Sequence, residues 1–297
     1  MNSDVNSHPL FKYLSCIYCH TSLHFNSTKS QLMCSECKHV FPIIENIPIF
    51  LSESDLTNHD LKQIDFFDSR KYSDKFDYQL DPWQIAFLKR FRNHISDVDG
   101  KLVVDNATGP GYFAIELAKR GGKVIATDLS YKSLLRIVKI AEAKGLSDHI
   151  LCVCCSSENL PLRNGVADII IANAILEHLH LENAAINEIN RVSKDHSRLM
   201  INVPIKFKYV NPLLIPLNVI HDRMIGHLRR YDKKSIQTRF PDWEIVATYY
   251  TGHFKKVMKT LLNLIIKIFD EKEMEREDED KSLSIYSSTN ITCFLEK

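Results

Sequence analysis

The stretch VVDNATGPGYFAIELAKRGGKVIATDLS, residues 103–130, decides the fold. It begins inside a short run, Lys101 to Asp105, that reads as a buried strand. Asn106-Ala107-Thr108-Gly109-Pro110-Gly111 then makes a glycine-rich turn, and Tyr112 to Arg120 reads as a helix. A second strand follows from Lys123 to Thr127 and ends at Asp128. Strand, turn and helix start together form a nucleotide cradle. Glycine lets the backbone approach a ligand, and a helix start presents free N–H groups. Asp128, closing the second strand, suits a pair of ribose hydroxyls.

Two ligands fit such a cradle. Gly109-x-Gly111-x-x-Ala114 is a loose dinucleotide fingerprint. Asp105, however, stands directly ahead of the turn, where an acid suits a cationic amino-acid end and repels a pyrophosphate. This favours S-adenosylmethionine over a nicotinamide cofactor.

Two later stretches, CCSSENLPLRNGVADIIIANAILEHL (154–179) and EINRVSKDHSRLMINVP (188–204), complete an ordered set. The set resembles the class I S-adenosylmethionine-dependent methyltransferases of type 11, over about residues 100–250. The resemblance implies a Rossmann-like, doubly wound α/β domain with a seven-stranded, mostly parallel sheet and an antiparallel last strand. It further implies that Asp105, Ala107, Gly109 and Gly111 hold the methionine part and that Asp128 holds the ribose, with Leu129 beside the adenine. Ser156 and Ser157 fall where the family often has Asp-Ala against the adenine. Asn173 falls at the end of the fourth strand, where the chain meets the reactive methyl. Three positions depart from the pattern. Ala107 replaces a glycine, Ser156 replaces an acid with a weaker acceptor, and Asp195-His196-Ser197 replaces a Pro-Gly-Gly turn before the fifth strand.

Ahead of this domain stand Cys16-x-x-Cys19 and Cys34-x-x-Cys37, with 14 residues between the pairs. Two such turns close a tetrahedral shell of four sulfurs, which suits a structural Zn2+ and leaves no open catalytic position. The intervening residues are enough for a hairpin, and His39 to Ile44 reads as a further strand. The stretch from Leu14 to Leu51 resembles the zinc ribbon fused to many methyltransferases. It is also similar to the small stand-alone zinc-ribbon protein that activates tRNA and protein methyltransferases. Phe41-Pro42-Ile43 and Ile47-Pro48 carry that likeness. The ribbon is therefore also a candidate docking surface for a protein partner.

The 297 residues carry 38 Lys+Arg against 37 Asp+Glu, so no global field argues for nucleic acid or an anionic membrane. Apolar residues at 44% exclude a disordered chain. Cys152, Cys154 and Cys155 fall in a third strand and read as small buried hydrophobes. No targeting segment is legible, and the apolar run Tyr209 to Ile220 is broken by Pro212 and Pro216. The expectation is a cytoplasmic protein with three parts. These are a zinc ribbon over 10–51, a helical linker and cap over 52–95, and the methyltransferase domain over 96–297. Insertions are expected near 204–230 and 252–288. In the linker, apolar residues recur at Leu61, Ile64 and Phe67, then Tyr72 and Phe76. Trp83, Phe87 and Phe91 share one helix face, for packing or for lidding a ligand.

The chemistry has fewer signals. Methyl transfer needs alignment more than elaborate catalysis. Glu177-His178 reads as a helix start beside the reactive end, with His178 a candidate base. In HDRMIGHLRRYDKKSI, residues 221–236, the resemblance puts His227, Arg229 and Tyr231 over the acceptor pocket. Arg229 and Arg230 suit a phosphate or carboxylate; a solvated basic helix start capped by Asp232 or Ser235 is the other reading. The apolar run 204–220 and the lysine-flanked helix 254–269 suit a small or amphiphilic, lipid-like acceptor, with peripheral membrane contact as a further possibility. The acidic run 270–280 reads as a solvated loop or helix, and the last strand as Asn290 to Leu295. The leading expectation is methyl transfer to a small or amphiphilic acceptor. An RNA (rRNA or tRNA base) methyltransferase and a non-catalytic cofactor-binding or docking module are the alternatives.

Overall fold

The computed structural model describes residues 8–28, 30–51, 56–69 and 78–297. Tyr72 and Phe76 lie outside the described residues. Seven strands form one sheet in the order β10 (Glu244–Thr251), β11 (Asn290–Glu296), β9 (Ser193–Pro204), β8 (Ala167–Asn173), β5 (Leu102–Asn106), β6 (Lys123–Asp128), β7 (Ile150–Cys154), and a separate four-stranded sheet runs β1 (Leu23–Asn26), β2 (Gln31–Cys34), β3 (Val40–Ile44), β4 (Ile47–Pro48). The chain divides into two compact units.

The first unit comprises Met1–Tyr78, Asp97–Ile171 and Asn183–Ser197. Its ribbon contains β1 (Leu23–Asn26), β2 (Gln31–Cys34), β3 (Val40–Ile44) and β4 (Ile47–Pro48). Each strand pairs antiparallel with the next, so the hairpin between the cysteine pairs is present as expected. Leu32, Phe41, Ile47 and Phe50 form its small buried core. After it comes α1 (Asn58–Asp68), opened by a capping box between Thr57 and Asp60.

The same unit holds β5 (Leu102–Asn106), α3 (Tyr112–Ala118), β6 (Lys123–Asp128), α4 (Tyr131–Ala143) and β7 (Ile150–Cys154). β5 pairs parallel with β6, and β6 with β7. All five residues of β5 and of β7 are buried, as parallel strands covered on both faces require. Cys152, Cys154 and Cys155 are buried there, and burial pushes all three thiols up.

β7 ends the sheet, so one edge of its backbone needs partners. The ribbon supplies them. The Phe50 N–H donates to the Cys154 carbonyl at 2.8 Å, beside a parallel bridge between Ile49 and Cys154. Just past β7, the Ser15 N–H donates to the Pro161 carbonyl at 2.9 Å, and the Arg163 N–H to the Tyr13 carbonyl at 3.0 Å. The ribbon is thus stitched to the edge of the large sheet by main-chain bonds.

The strand β8 (Ala167–Asn173) is followed by α5 (Glu182–Val192) and β9 (Ser193–Pro204). The expected turn at Asp195-His196-Ser197 lies inside β9, where His196 adopts φ +60°. Glu177-His178 does not start a helix; α5 begins at Glu182. The reason lies in the carbonyls. Arg229 donates to those of Leu176 and Leu179, and the Leu228 N–H to that of Glu177, so they serve no helical N–H.

The second unit comprises Gln79–Ser96, Ala172–Glu182 and Arg198–Lys297. It opens with α2 (Pro82–His94), capped by Asp81 and Gln84. Phe87 and Phe91 are buried, but Trp83, in the first turn, is 43% exposed, so the expected aromatic stripe is split. It continues with α6 (Ile215–Ile225), α7 (Lys233–Arg239), β10 (Glu244–Thr251), α8 (Phe254–Asn263), α9 (Glu271–Glu279) and β11 (Asn290–Glu296). β11 pairs antiparallel with both β9 and β10. Leu213, Leu217, Ile220 and Met224 recur at helical spacing around α6 and are all exposed. α8 stops at Asn263 instead of 269, because the Asn263 side chain bonds both the N–H and the carbonyl of Phe269 and closes a loop. Leu264, Ile265, Ile266 and Ile268 in that loop are exposed. No helix among the described residues is long and apolar enough to cross a membrane.

The acidic run folds as the helix α9, one of its two expected forms, and buries Met274 and Asp278. Lys256 pairs with Glu275 at 2.8 Å and Lys259 with Glu277 at 2.7 Å, while Arg90 pairs with Glu279. Asp278, 2% exposed, accepts from the N–H groups of Gly252 and His253 and from the His253 ring at 2.7 Å. These partners outweigh burial and hold its carboxyl down at about 2, while Asp278 raises His253. Asp278 therefore stabilises the fold fully above its ordinary value and less as pH falls toward 2, by on the order of 2 kcal/mol. The His253 contribution is complete below its ordinary value and lost as pH rises through the raised one. Asp278→Asn is expected to flatten both limbs of a melting-temperature profile taken from about pH 3 to 9. An unchanged profile would refute the coupling.

Candidate active site

The four ribbon cysteines converge. Cys16 Sγ lies 3.6 Å from Cys37 Sγ, Cys19 Sγ lies 3.4 Å from Cys34 Sγ, and all four sulfurs fall within 4.8 Å of one another. A tetrahedral shell with zinc–sulfur bonds of about 2.3 Å places its sulfurs roughly 3.8 Å apart. The cluster fits that shell with small shifts. Thr21 Oγ1 is 3.1 Å from both Cys19 and Cys34 and can donate to a thiolate.

The cradle is built on the carboxyl ends of β5 and β6. Asp105 is 2% exposed, and its Oδ2 accepts from Thr108 Oγ1 at 2.5 Å. Burial pushes its carboxyl up to about 7; Thr108 and the Ala114 N–H pull it back, and Asp128 adds to the rise. Such a group favours a cationic partner. Asp128 Oδ2 accepts from the Gly109 N–H and Oδ1 from the Ser130 N–H, both at 2.9 Å. Burial raises it too. Two donors leave further lone pairs for hydroxyls. Leu129 follows it, and its carbonyl accepts from Cys154 Sγ.

The turn between them runs through the left-handed region at Ala107 (φ +57°), Gly109 (φ +52°) and Gly111 (φ +77°). Ala107 keeps the conformation for which glycine is preferred, at a cost of about 1 kcal/mol. Ala107→Gly is expected to stabilise the protein by that amount in chemical denaturation; no gain would show the strain is absorbed elsewhere. Ser156 accepts from the Glu158 N–H, and Ser157 donates to Asn106 Oδ1 at 2.8 Å. Ser157 is thereby turned onto the β5 strand.

In the second unit, Asn173 Oδ1 accepts from Asn202 at 3.0 Å. His178 and His227 pack edge to face, with ring centroids 4.8 Å apart. His227 Nδ1 bonds Asp222 Oδ1 at 2.8 Å, and its Nε2 lies 3.7 Å from Glu177 Oε1. Burial pushes Glu177 up to about 8, with Asp222 raising it further and Arg230 and Arg229 lowering it. Arg230 grips Asp222 through two bonds of 2.7 and 2.8 Å and also bonds Asn218 and the Ile205 carbonyl. Tyr231 is fully buried and donates to Glu182 at 2.6 Å. Arg229, Arg230 and Tyr231 thus act as braces in this structure, where the resemblance put Arg229 and Tyr231 over the acceptor pocket and the arginine type suited Arg229 and Arg230 to a phosphate or carboxylate. Asp232 and Ser235 form the capping box of α7. Asp222 and Glu182 escaped the sequence reading; the five-residue step from Asp222 to His227 was the only clue. A groove of about 760 Å³ is lined by Lys208, Tyr209, Lys233 and Lys234, among others.

Known proteins match these parts. Residues 104–201 match the methyltransferase domain model, and residues 8–46 match that of the Trm112p-like proteins. The tRNA 5-carboxymethoxyuridine methyltransferase of Escherichia coli K12 is 37% identical over 76 residues, 25% of this chain and 29% of that enzyme. The match therefore spans under a third of the curated relative. Among solved structures, a geranyl diphosphate methyltransferase in complex with GPP and sinefungin aligns with TM-score 0.60 and 13% identity. That alignment covers 80% of this chain and 99% of the other. The [4+2]-cyclase SpnF aligns with TM-score 0.52 and 16% identity, over 72% of this chain and 80% of that one. Likenesses this distant establish the fold alone, and a cyclase among them underlines that fold does not dictate reaction. Residues 104–201 are a methyltransferase domain of the S-adenosylmethionine-dependent kind, and residues 8–46 are a Trm112p-like zinc ribbon.

Proposed function

We propose that this chain transfers a methyl group from S-adenosylmethionine to a small, amphiphilic acceptor. The observation that carries the reading is the pair of acids, Asp105 and Asp128, on adjacent parallel strands around a left-handed turn. Asp105 would hold the cofactor's ammonium group and Asp128 its ribose hydroxyls. Bound there, the cofactor supplies a methyl group on a sulfonium, an electrophile that needs alignment above all. His178 and His227 are the candidates for taking a proton from the acceptor, with Arg230 holding Asp222 against His227, Arg229 holding the Leu176 and Leu179 carbonyls and Tyr231 bonding Glu182. Ala107 keeps the left-handed backbone despite its side chain, which argues against a disabled cofactor site. The exposed apolar residues on α6 and after α8 favour an amphiphilic acceptor, with a membrane surface as its source. The ribbon's main-chain bonds to the sheet edge support a role as a built-in partner of its own domain.

A second reading, methylation of tRNA, draws on the Escherichia coli relative and on the lysine-lined groove. Calorimetric titration of the zinc-loaded chain with S-adenosylmethionine and S-adenosylhomocysteine tests the first claim. Binding of both is expected, weakened at least about tenfold in Asp128→Ala, the value of one or two charge-assisted hydrogen bonds. A folded chain that binds neither would sink the proposal. Labelled methyl groups appearing in tRNA and not in a lipid extract would move the acceptor to the second reading.

A further inference from the structure

Glu177, His178 and His227 each offer one ligand atom, and these atoms lie within 4.8 Å of one another. Glu177 is 1% exposed, and its Oε2 has no hydrogen-bond partner among the described residues. A buried carboxylate oxygen left this way is costly, and it demands an explanation. His227 provides one. Its Nδ1 is engaged by Asp222 at 2.8 Å, so with the proton on Nδ1 the lone pair is on Nε2, which lies 3.7 Å from Glu177 Oε1. Asp222 is fixed in turn by the two-point grip of Arg230. A carboxylate that orients one imidazole nitrogen so that the other can ligate is the usual outer support of a metal-bound histidine.

We propose that Glu177, His178 and His227 form a divalent transition-metal site, with Asp222 and Arg230 as positioning residues for His227. One carboxylate and two imidazoles suit a first-row ion such as Mn2+, Co2+ or Zn2+; they suit neither an all-oxygen cage nor a thiolate shell. Ligand bonds of about 2.1 Å bring such atoms to roughly 3.0–3.4 Å of one another, so the widest separation closes by up to about 1.8 Å on binding. The ion would take up the negative charge that burial otherwise opposes at Glu177. Three protein ligands leave positions open, and these fit an oxygen donor, a hydroxyl or carboxylate of a small ligand. This site is distinct in chemistry from the four-sulfur ribbon site, and the claim does not depend on the proposed reaction.

The test is calorimetric titration of the full chain, its ribbon already loaded with zinc, with Mn2+, Co2+ and Zn2+ separately. One further equivalent of at least one ion is expected, with binding lost in His227→Ala and Glu177→Gln. Asp222→Asn is expected to weaken binding by about 10- to 100-fold, as loss of an outer support does. A cooperative melting transition certifies each variant as folded, whether or not the chain binds S-adenosylhomocysteine. Should either ligand variant fail to fold, His178→Gln and Asp222→Asn carry the test. Wild-type chain that binds none of the three ions beyond the ribbon equivalent would overturn the proposal and leave a proton shared by Glu177 and His227. Binding that survives His227→Ala and Glu177→Gln would overturn it equally.

Discussion

Removal of the ribbon zinc, by chelation or by Cys34→Ser, is expected to unfold residues 10–51 and to strip the edge of β7. The ribbon's own core is little more than Leu32, Phe41, Ile47 and Phe50, with Leu10 and Leu14 behind them. A core of that size cannot offset the ordering of some forty residues. A structural zinc contributes roughly 10–16 kcal/mol in modules of this kind, comparable to the whole stability of a domain. The loss would not stay local. The carbonyls of Cys154 and Pro161 would lose the N–H groups of Phe50 and Ser15, and β7 would present an open strand edge. Hydrogen exchange reads this directly. The amides of Phe50 and Ser15 should be protected in the zinc-loaded chain and exchange freely without zinc, with aggregation following. Protection that persists after the metal is gone would mean that packing on the sheet alone folds the ribbon.

Gly111→Ala is the second change with a large expected effect. Gly111 holds φ +77° at the start of α3, and an added Cβ would come within 2.4 and 2.5 Å of Ile137 Cγ1 and Cδ1 on α4. Backbone strain of about 1–2 kcal/mol adds to overpacking of about 1–3 kcal/mol. If Ile137 holds its rotamer, the turn relieves this by moving, and the Gly109 N–H that reaches Asp128 moves with it. Cofactor affinity is therefore expected to fall by well over tenfold, together with stability. Gly109→Ala is the control. Its φ is +52°, but none of the described residues lies within 4 Å of the added carbon, so the strain is what remains. Denaturation midpoints and S-adenosylhomocysteine titrations of both variants separate the two causes. Equal effects in the two would show that Ile137 yields and that the clash does not matter.

The elements around these glycines were legible in the chain itself. Alternation of buried runs with helical periods marked β5, α3, β6 and the cradle, because those signals are local. Paired cysteines marked the metal shell, because ligand spacing within a turn is also local. The cluster around His227 was less legible. Its histidines stand out by type, but Glu177 has the local pattern of a helix start, and only distant groups, the Leu228 N–H and the Arg229 side chain, take the carbonyls around it. The helix α9 was one of two readings of the acidic run, but the lysines that pair with it lie on α8, 18 and 19 residues earlier in the chain, out of reach of a local pattern. By itself, then, the sequence determined the two modules, the order of the strands' hydrophobic runs and the acids of the cradle, all set by backbone periodicity and near-neighbour spacing. Only the tertiary structure decided that the ribbon seals the β7 edge, that Tyr231 and Arg230 brace rather than reach outward, and that Glu177 meets two histidines. Those outcomes depend on which distant groups satisfy buried donors and acceptors, and no local pattern encodes that choice.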